Sequence, residues 1–181
     1  GELLQPLGNL PFEDAVDMFA ELVRAGVEAG ADLIAIETMT DLQEARAALI
    51  AAKENSDLPV MVTMSFEETG RTFTGCTAAS MAATLTGLGA DAIGVNCSLG
   101  PKQLLPILRE ICAHTHLPVI AKPNAGMPEI DEKGNVRYSM GPEDFAKHML
   151  RLKSLGADIL GGCCGTTPEH IAALNRALNQ Q

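Results

Sequence analysis

Tryptophan is absent and tyrosine occurs once, at Tyr138, so aromatic residues make up only 3% of this 181-residue chain. Stacking platforms for nucleobases cannot be assembled from so few rings. Basic residues are scarce as well: 13 Lys and Arg stand against 23 Asp and Glu, for a formal net charge of -10. A phosphate backbone or an anionic membrane surface calls for the opposite balance. No apolar run reaches the roughly 18 residues of a membrane span, and no secretory leader is visible. These absences lead to the expectation of a cytoplasmic protein with neither nucleic acid nor membrane as partner. The chain also opens Gly1-Glu2-Leu3-Leu4, without an initiator Met.

What is present is a repeat. Gly30-Ala31-Asp32, Gly89-Ala90-Asp91 and Gly156-Ala157-Asp158 each lead into apolar and small residues and end on a chemically useful pair: Glu37/Thr38, Asn96/Cys97 and Cys163/Cys164. Self-similarity of this kind marks a repeated supersecondary unit. Two further short apolar runs, Leu58 to Phe66 and Leu117 to Asn124, read as buried strands, which makes five. Between them, apolar residues recur at helical spacing over 13–29, 41–54, 77–88, 101–114, 142–155 and 168–179. Asp41, Pro101, Pro142 and Thr166 or Thr167 supply start signals.

The order α(βα)5 predicts an α/β fold with parallel strands joined by right-handed crossovers. An open doubly wound sheet would gather its ligand at one crevice, whereas a (β/α)8 TIM-type barrel assembles a site from several strand ends on one rim. Reactive residues at several strand ends favour the barrel. A full barrel needs about 250 residues, so the expectation is a single domain over 1–181 that supplies the last five βα units, the first three strands being absent.

Five cysteines form no regular disulfide framework. Cys112, among Leu104, Leu105, Leu108 and Ile111, and Cys76, at a helix start, read as small buried hydrophobes. Cys97, Cys163 and Cys164 differ, because they end repeated strands. Vicinal side chains on a strand point to opposite faces, so Cys163 and Cys164 can converge only beyond its end. Gly161, Gly162 and Gly165 are expected to give the backbone that freedom.

Three thiolates suit Zn2+ and leave a fourth position open. Their combined charge with the ion is -1, poor for making hydroxide but suited to holding a nucleophilic substrate sulfur. Three other readings stay open: a filled glycine turn, a redox dithiol, and a phosphate cradle at the following helix. The four histidines read as structural or surface residues. Residues 124–141 form a long connection with a turn at Asp131 to Asn135 and are expected to make a hairpin over the site. Glu67 to Gly75 is a candidate for a second cover.

The runs Gly94-Val95-Asn96-Cys97-Ser98, Pro123-Asn124-Ala125-Gly126-Met127-Pro128 and Gly161 to His170 resemble the homocysteine-binding barrel of zinc-dependent homocysteine S-methyltransferases. The Pro-Asn-Ala-Gly run looks most like the cobalamin-dependent methionine synthases. The resemblance spans essentially the whole chain, in order. It implies Zn2+ held by Cys97, Cys163 and Cys164, with the homocysteine sulfur completing the site and methyl transfer giving methionine. It also implies Glu37, with Thr38 beside it, at the substrate ammonium, Asn124 toward substrate or metal, and Asn96 orienting its strand end. The implied donor is methylcobalamin, recharged from methyltetrahydrofolate on modules elsewhere; a sulfonium or betaine-type donor is the variant. A non-catalytic zinc-binding fragment is the competing reading, and the isolated 181 residues are expected to be inactive.

Overall fold

The computed structural model describes residues 3–180. Helix α1 (Phe12–Glu28) precedes β1 (Ile34–Met39), α2 (Leu42–Asn55), β2 (Val60–Met64), α3 (Ala78–Gly87), β3 (Ala92–Asn96), α4 (Leu104–Ala113) and β4 (Val119–Lys122). A hairpin of β5 (Pro128–Ile130) and β6 (Val136–Tyr138) follows, then α5 (Pro142–Ser154), β7 (Ile159–Leu160) and α6 (Pro168–Leu178). Strands pair in parallel in the order β1-β2-β3-β4-β7. The order never reverses, so no switch point exists among the described strands.

Central strands carry Val60, Val62, Met64, Ile93 and Val95, all at or near zero exposure, against Leu49, Met81, Leu85 and Leu108 from the helices. Each such side chain contributes about 1.5–3 kcal/mol through removal from water. Capping follows the local sequence: the Asp41 carboxylate accepts from Gln43 N–H at the start of α2, and Thr77 accepts from Ser80 N–H at the start of α3.

The repeat acquires a physical meaning. Its glycines, Gly30, Gly89 and Gly156, have φ of 84°, 84° and 116° and end the preceding helices in the left-handed conformation. Two of its three aspartates fasten neighbouring strands: Asp91 accepts from Val60 N–H at 2.8 Å, and Asp158 accepts from Val119 N–H at 2.9 Å. Hydrogen bonds from Lys53 and Val60 hold the Asp91 carboxyl below its ordinary range. In its second and third copies the tripeptide thus both stops a helix and ties the coming strand to its neighbour.

The sheet curls. Lys122 on β4 bonds to Glu37 on β1 across two intervening strands, an interval of roughly 14 Å in a flat sheet. Along the free edge of β1, Phe19, Leu22, Leu33 and Ala35 line an apolar groove of about 370 Å³. Among the described residues, no helix is long and apolar enough to cross a membrane.

Candidate active site

Segment Lys122 to Ala125, which continues β4, is the spine on which the thiols are hung. On one side Cys97 N–H donates to Lys122 C=O at 3.1 Å; on the other, Cys163 N–H donates to Pro123 C=O at 2.9 Å and Ala125 N–H to Cys164 C=O at 2.9 Å. The three Sγ atoms all lie within 4.8 Å of one another, Cys97 and Cys164 being 3.6 Å apart. Tetrahedral Zn–S bonds of about 2.3 Å require sulfurs roughly 3.8 Å apart, so the donor set fits that ion. All five cysteines are free. Burial, followed by the neighbouring thiols, pushes Cys97 up to about 11.

The glycines around the pair divide their work differently from expectation. Only Gly165 has a left-handed backbone, φ 77°. Gly161 and Gly162 matter because they have no Cβ: one would lie 3.1 Å from Lys122 Cγ, the other 2.5 Å from Thr166. Strain is found instead at Thr38, Cys97 and Ser98, non-glycine residues with φ of 62°, 64° and 57°. Backbone strain of this kind costs of order 1–3 kcal/mol per residue and persists where surrounding contacts enforce it.

Those contacts converge on Asn96, which is 2% exposed. Its carbonyl accepts from Thr38 N–H at 2.9 Å and from the Thr63 hydroxyl at 2.7 Å. Its amide donates to Thr38 Oγ1 at 2.7 Å and reaches Cys163 Sγ at 3.9 Å. Its own backbone carbonyl accepts from Ser65. Asn96 therefore links the strained end of β1 to the thiol cluster. The β1–β2 register shifts between Ile36 and Met39, a bulge that turns both Glu37 and Thr38 toward solvent.

Asn124 is also buried, with its carbonyl accepting from Cys164 N–H at 3.0 Å, so it shapes the thiol turn. The hairpin forms, and the Tyr138 ring covers Gly165, where an added Cβ would fall 2.4 Å from the ring. Burial and then a hydrogen bond with Cys164 raise the Tyr138 phenol. Met140 N–H donates to Ala125 C=O, and His170 Nε2 meets Met140 C=O at 2.9 Å, tying the hairpin base to α6.

At the start of α6 the Thr167 side chain and His170 close a capping box. This engages the Thr167 and His170 N–H groups, two of the donors that a phosphate cradle there would use. The 67–75 stretch packs locally, with Thr74 Oγ1 donating to Thr40 C=O. Cys76 donates to Thr77 C=O, and Cys112 Sγ fills the space beside Gly156, so both pack rather than join the cluster. Lys122 carries no motif of its own in the sequence; its place directly before Pro123-Asn124 is the one signal that marks it.

Residues 1–178 match the family profile described as Homocysteine S-methyltransferase. Methionine synthase of Mycobacterium leprae (strain TN) is 32% identical over 98% of this chain, which spans 15% of that protein's length. The Escherichia coli homocysteine methyltransferase MmuM in its apo form superimposes with a TM-score of 0.76 at 22% identity, covering 98% of this chain and 61% of that one. Its metallated form superimposes at 0.72 with 25% identity, over 89% and 51% of the two chains. With a family match over nearly its full length and a sheet that brings the three motif cysteines together, the chain belongs to the homocysteine S-methyltransferase family.

Proposed function

We propose that this chain binds homocysteine beside a Zn2+ held by Cys97, Cys163 and Cys164, and that it serves methyl transfer to the substrate sulfur, giving methionine. The observation that carries this reading is the convergence of three thiols from two strand ends within 4.8 Å. When bound, the ion supplies a lowered thiol pKa at a sulfur that stays nucleophilic. The chain's own residues do the rest. Asn96 holds the β1 end against the cluster, Asn124 holds the Cys164 turn, and Glu37 offers a carboxylate to the substrate ammonium beside Thr38. Tyr138 covers Gly165 and restricts water on that side.

The methyl donor in this proposal is methylcobalamin, recharged from methyltetrahydrofolate on modules outside this chain; likeness to a methionine synthase supports it. The sheet is proposed to be part of a (β/α)8 barrel, in keeping with its unreversed strand order, its curl and the apolar groove along β1. Zinc-edge X-ray absorption of the zinc-loaded protein tests the central claim. Homocysteine is expected to raise the sulfur count at the ion from three to four. A first shell unchanged by homocysteine would instead mark a closed, structural site.

A further inference from the structure

Glu37 and Lys122 are the only charged residues on the five strands of the sheet. They are opposite in sign, sit on strands that are not neighbours, and meet on the concave side. Side-chain exposures of 41% and 27% keep the pair in contact with water, where an ion pair contributes about 0–1 kcal/mol to stability. Folding alone gives little reason for the only two charges of an otherwise uncharged sheet to find each other. Both are anchored to the thiol cluster. Lys122 C=O accepts from Cys97 N–H, its Cγ packs against Gly161 two residues before Cys163, and Glu37 adjoins Thr38, which Asn96 links to Cys163 Sγ.

We propose that Lys122 takes the carboxylate of an α-amino-acid substrate whose ammonium the reading above gives to Glu37, so that the ion pair opens to hold both ends of a zwitterionic head. This rests on the reading of the site given above and adds its carboxylate-recognising residue. Before substrate binds, each group serves as counter-ion for the other. Binding exchanges one pair for two, with no net charge added to the mouth of the site, and selects amino-acid thiols over simple ones.

Calorimetric titration of the zinc-loaded protein with three thiols tests this: homocysteine, 3-aminopropane-1-thiol, which lacks the carboxylate, and 4-mercaptobutanoic acid, which lacks the ammonium. For Lys122→Met, Kd for homocysteine and for the mercapto acid is expected to rise about 10- to 100-fold. The aminothiol should bind unchanged or more tightly, because Glu37 has lost its internal partner. Lys122→Arg should retain homocysteine within several-fold. Glu37→Gln should show the mirror pattern, with the mercapto acid spared. Equal weakening of all three thiols by Lys122→Met, or unchanged homocysteine binding, would overturn the inference while leaving the zinc reading intact. Failure of the unmodified protein to bind homocysteine would overturn both.

Discussion

Replacing Asn96 with alanine removes four contacts at once, and their cost can be worked from the geometry. The Thr63 hydroxyl, in a residue 1% exposed, loses its acceptor, and Thr38 N–H loses its own. A buried donor stranded in this way costs about 1–3 kcal/mol, and loss of the bond to Thr38 Oγ1 about 1 more. Partial relaxation of Thr38 out of its left-handed conformation returns some of this. A net loss of about 3 kcal/mol follows, which lowers Tm by about 6–12 °C in a chain of this size. The same change removes the Asn96 amide from Cys163 Sγ, so zinc affinity should fall about 10- to 100-fold. Thr63→Val is the control: it deletes one donor, leaves the Thr38–Asn96 bonds in place, costs about 1 kcal/mol and spares zinc. Thermal melting and competitive chelator titration read both quantities. An Asn96→Ala protein within about 1 kcal/mol of the parent, with equal zinc affinity, would refute the claim that this amide couples β1 to the thiols.

Serine at Cys97, Cys163 or Cys164 should each reduce zinc from one ion per chain to below about 0.1 by elemental analysis; undiminished zinc in any one would remove that residue from the site. Gly94→Ala should cost about 3 kcal/mol or more in urea unfolding, because its Cβ would fall 2.0 Å from Ile120 C=O on the paired strand; a neutral effect would mean the strands can separate freely there. Burial, partly offset by Asp144, holds His148 below its ordinary 6.5. The unfolded chain then takes up that proton first, so His148's contribution to stability is complete above 6.5 and is lost as pH falls through the lower folded value. His148→Leu should flatten the profile as pH falls below about 6.5, by up to about 1.4 kcal/mol per pH unit; identical slopes would count against a buried neutral imidazole.

Legibility in the sequence tracked chemical specificity. Three cysteines at matching positions of a repeat point toward a sulfur site before any coordinates, because few other roles place thiols at the ends of alternate strands. Asn96 was legible as an orienting residue, but its reach to Thr38, 58 residues earlier, was not. Lys122 was illegible for the same reason: its partner is 85 residues away and meets it only because the sheet curls. The glycine run was read as conformational freedom throughout, yet two of its members are required for space, a property set by Lys122 and Thr166 rather than by the run itself. The Gly-Ala-Asp tripeptide was visible as a repeat, while its Asp-to-strand bonds depend on strand order.

Strand β7 is only two residues long and forms two residue pairs with β4. Beyond Leu160, its attachment to the sheet continues through the backbone of Gly161 and of the two cysteines. An ion shared between Cys97 and this pair would act as a rivet from β3 to the final helix unit, bypassing the short strand. Metal occupancy and the order of that unit should then rise and fall together, and amides from Gly161 through α6 should exchange with solvent faster once chelator strips the ion.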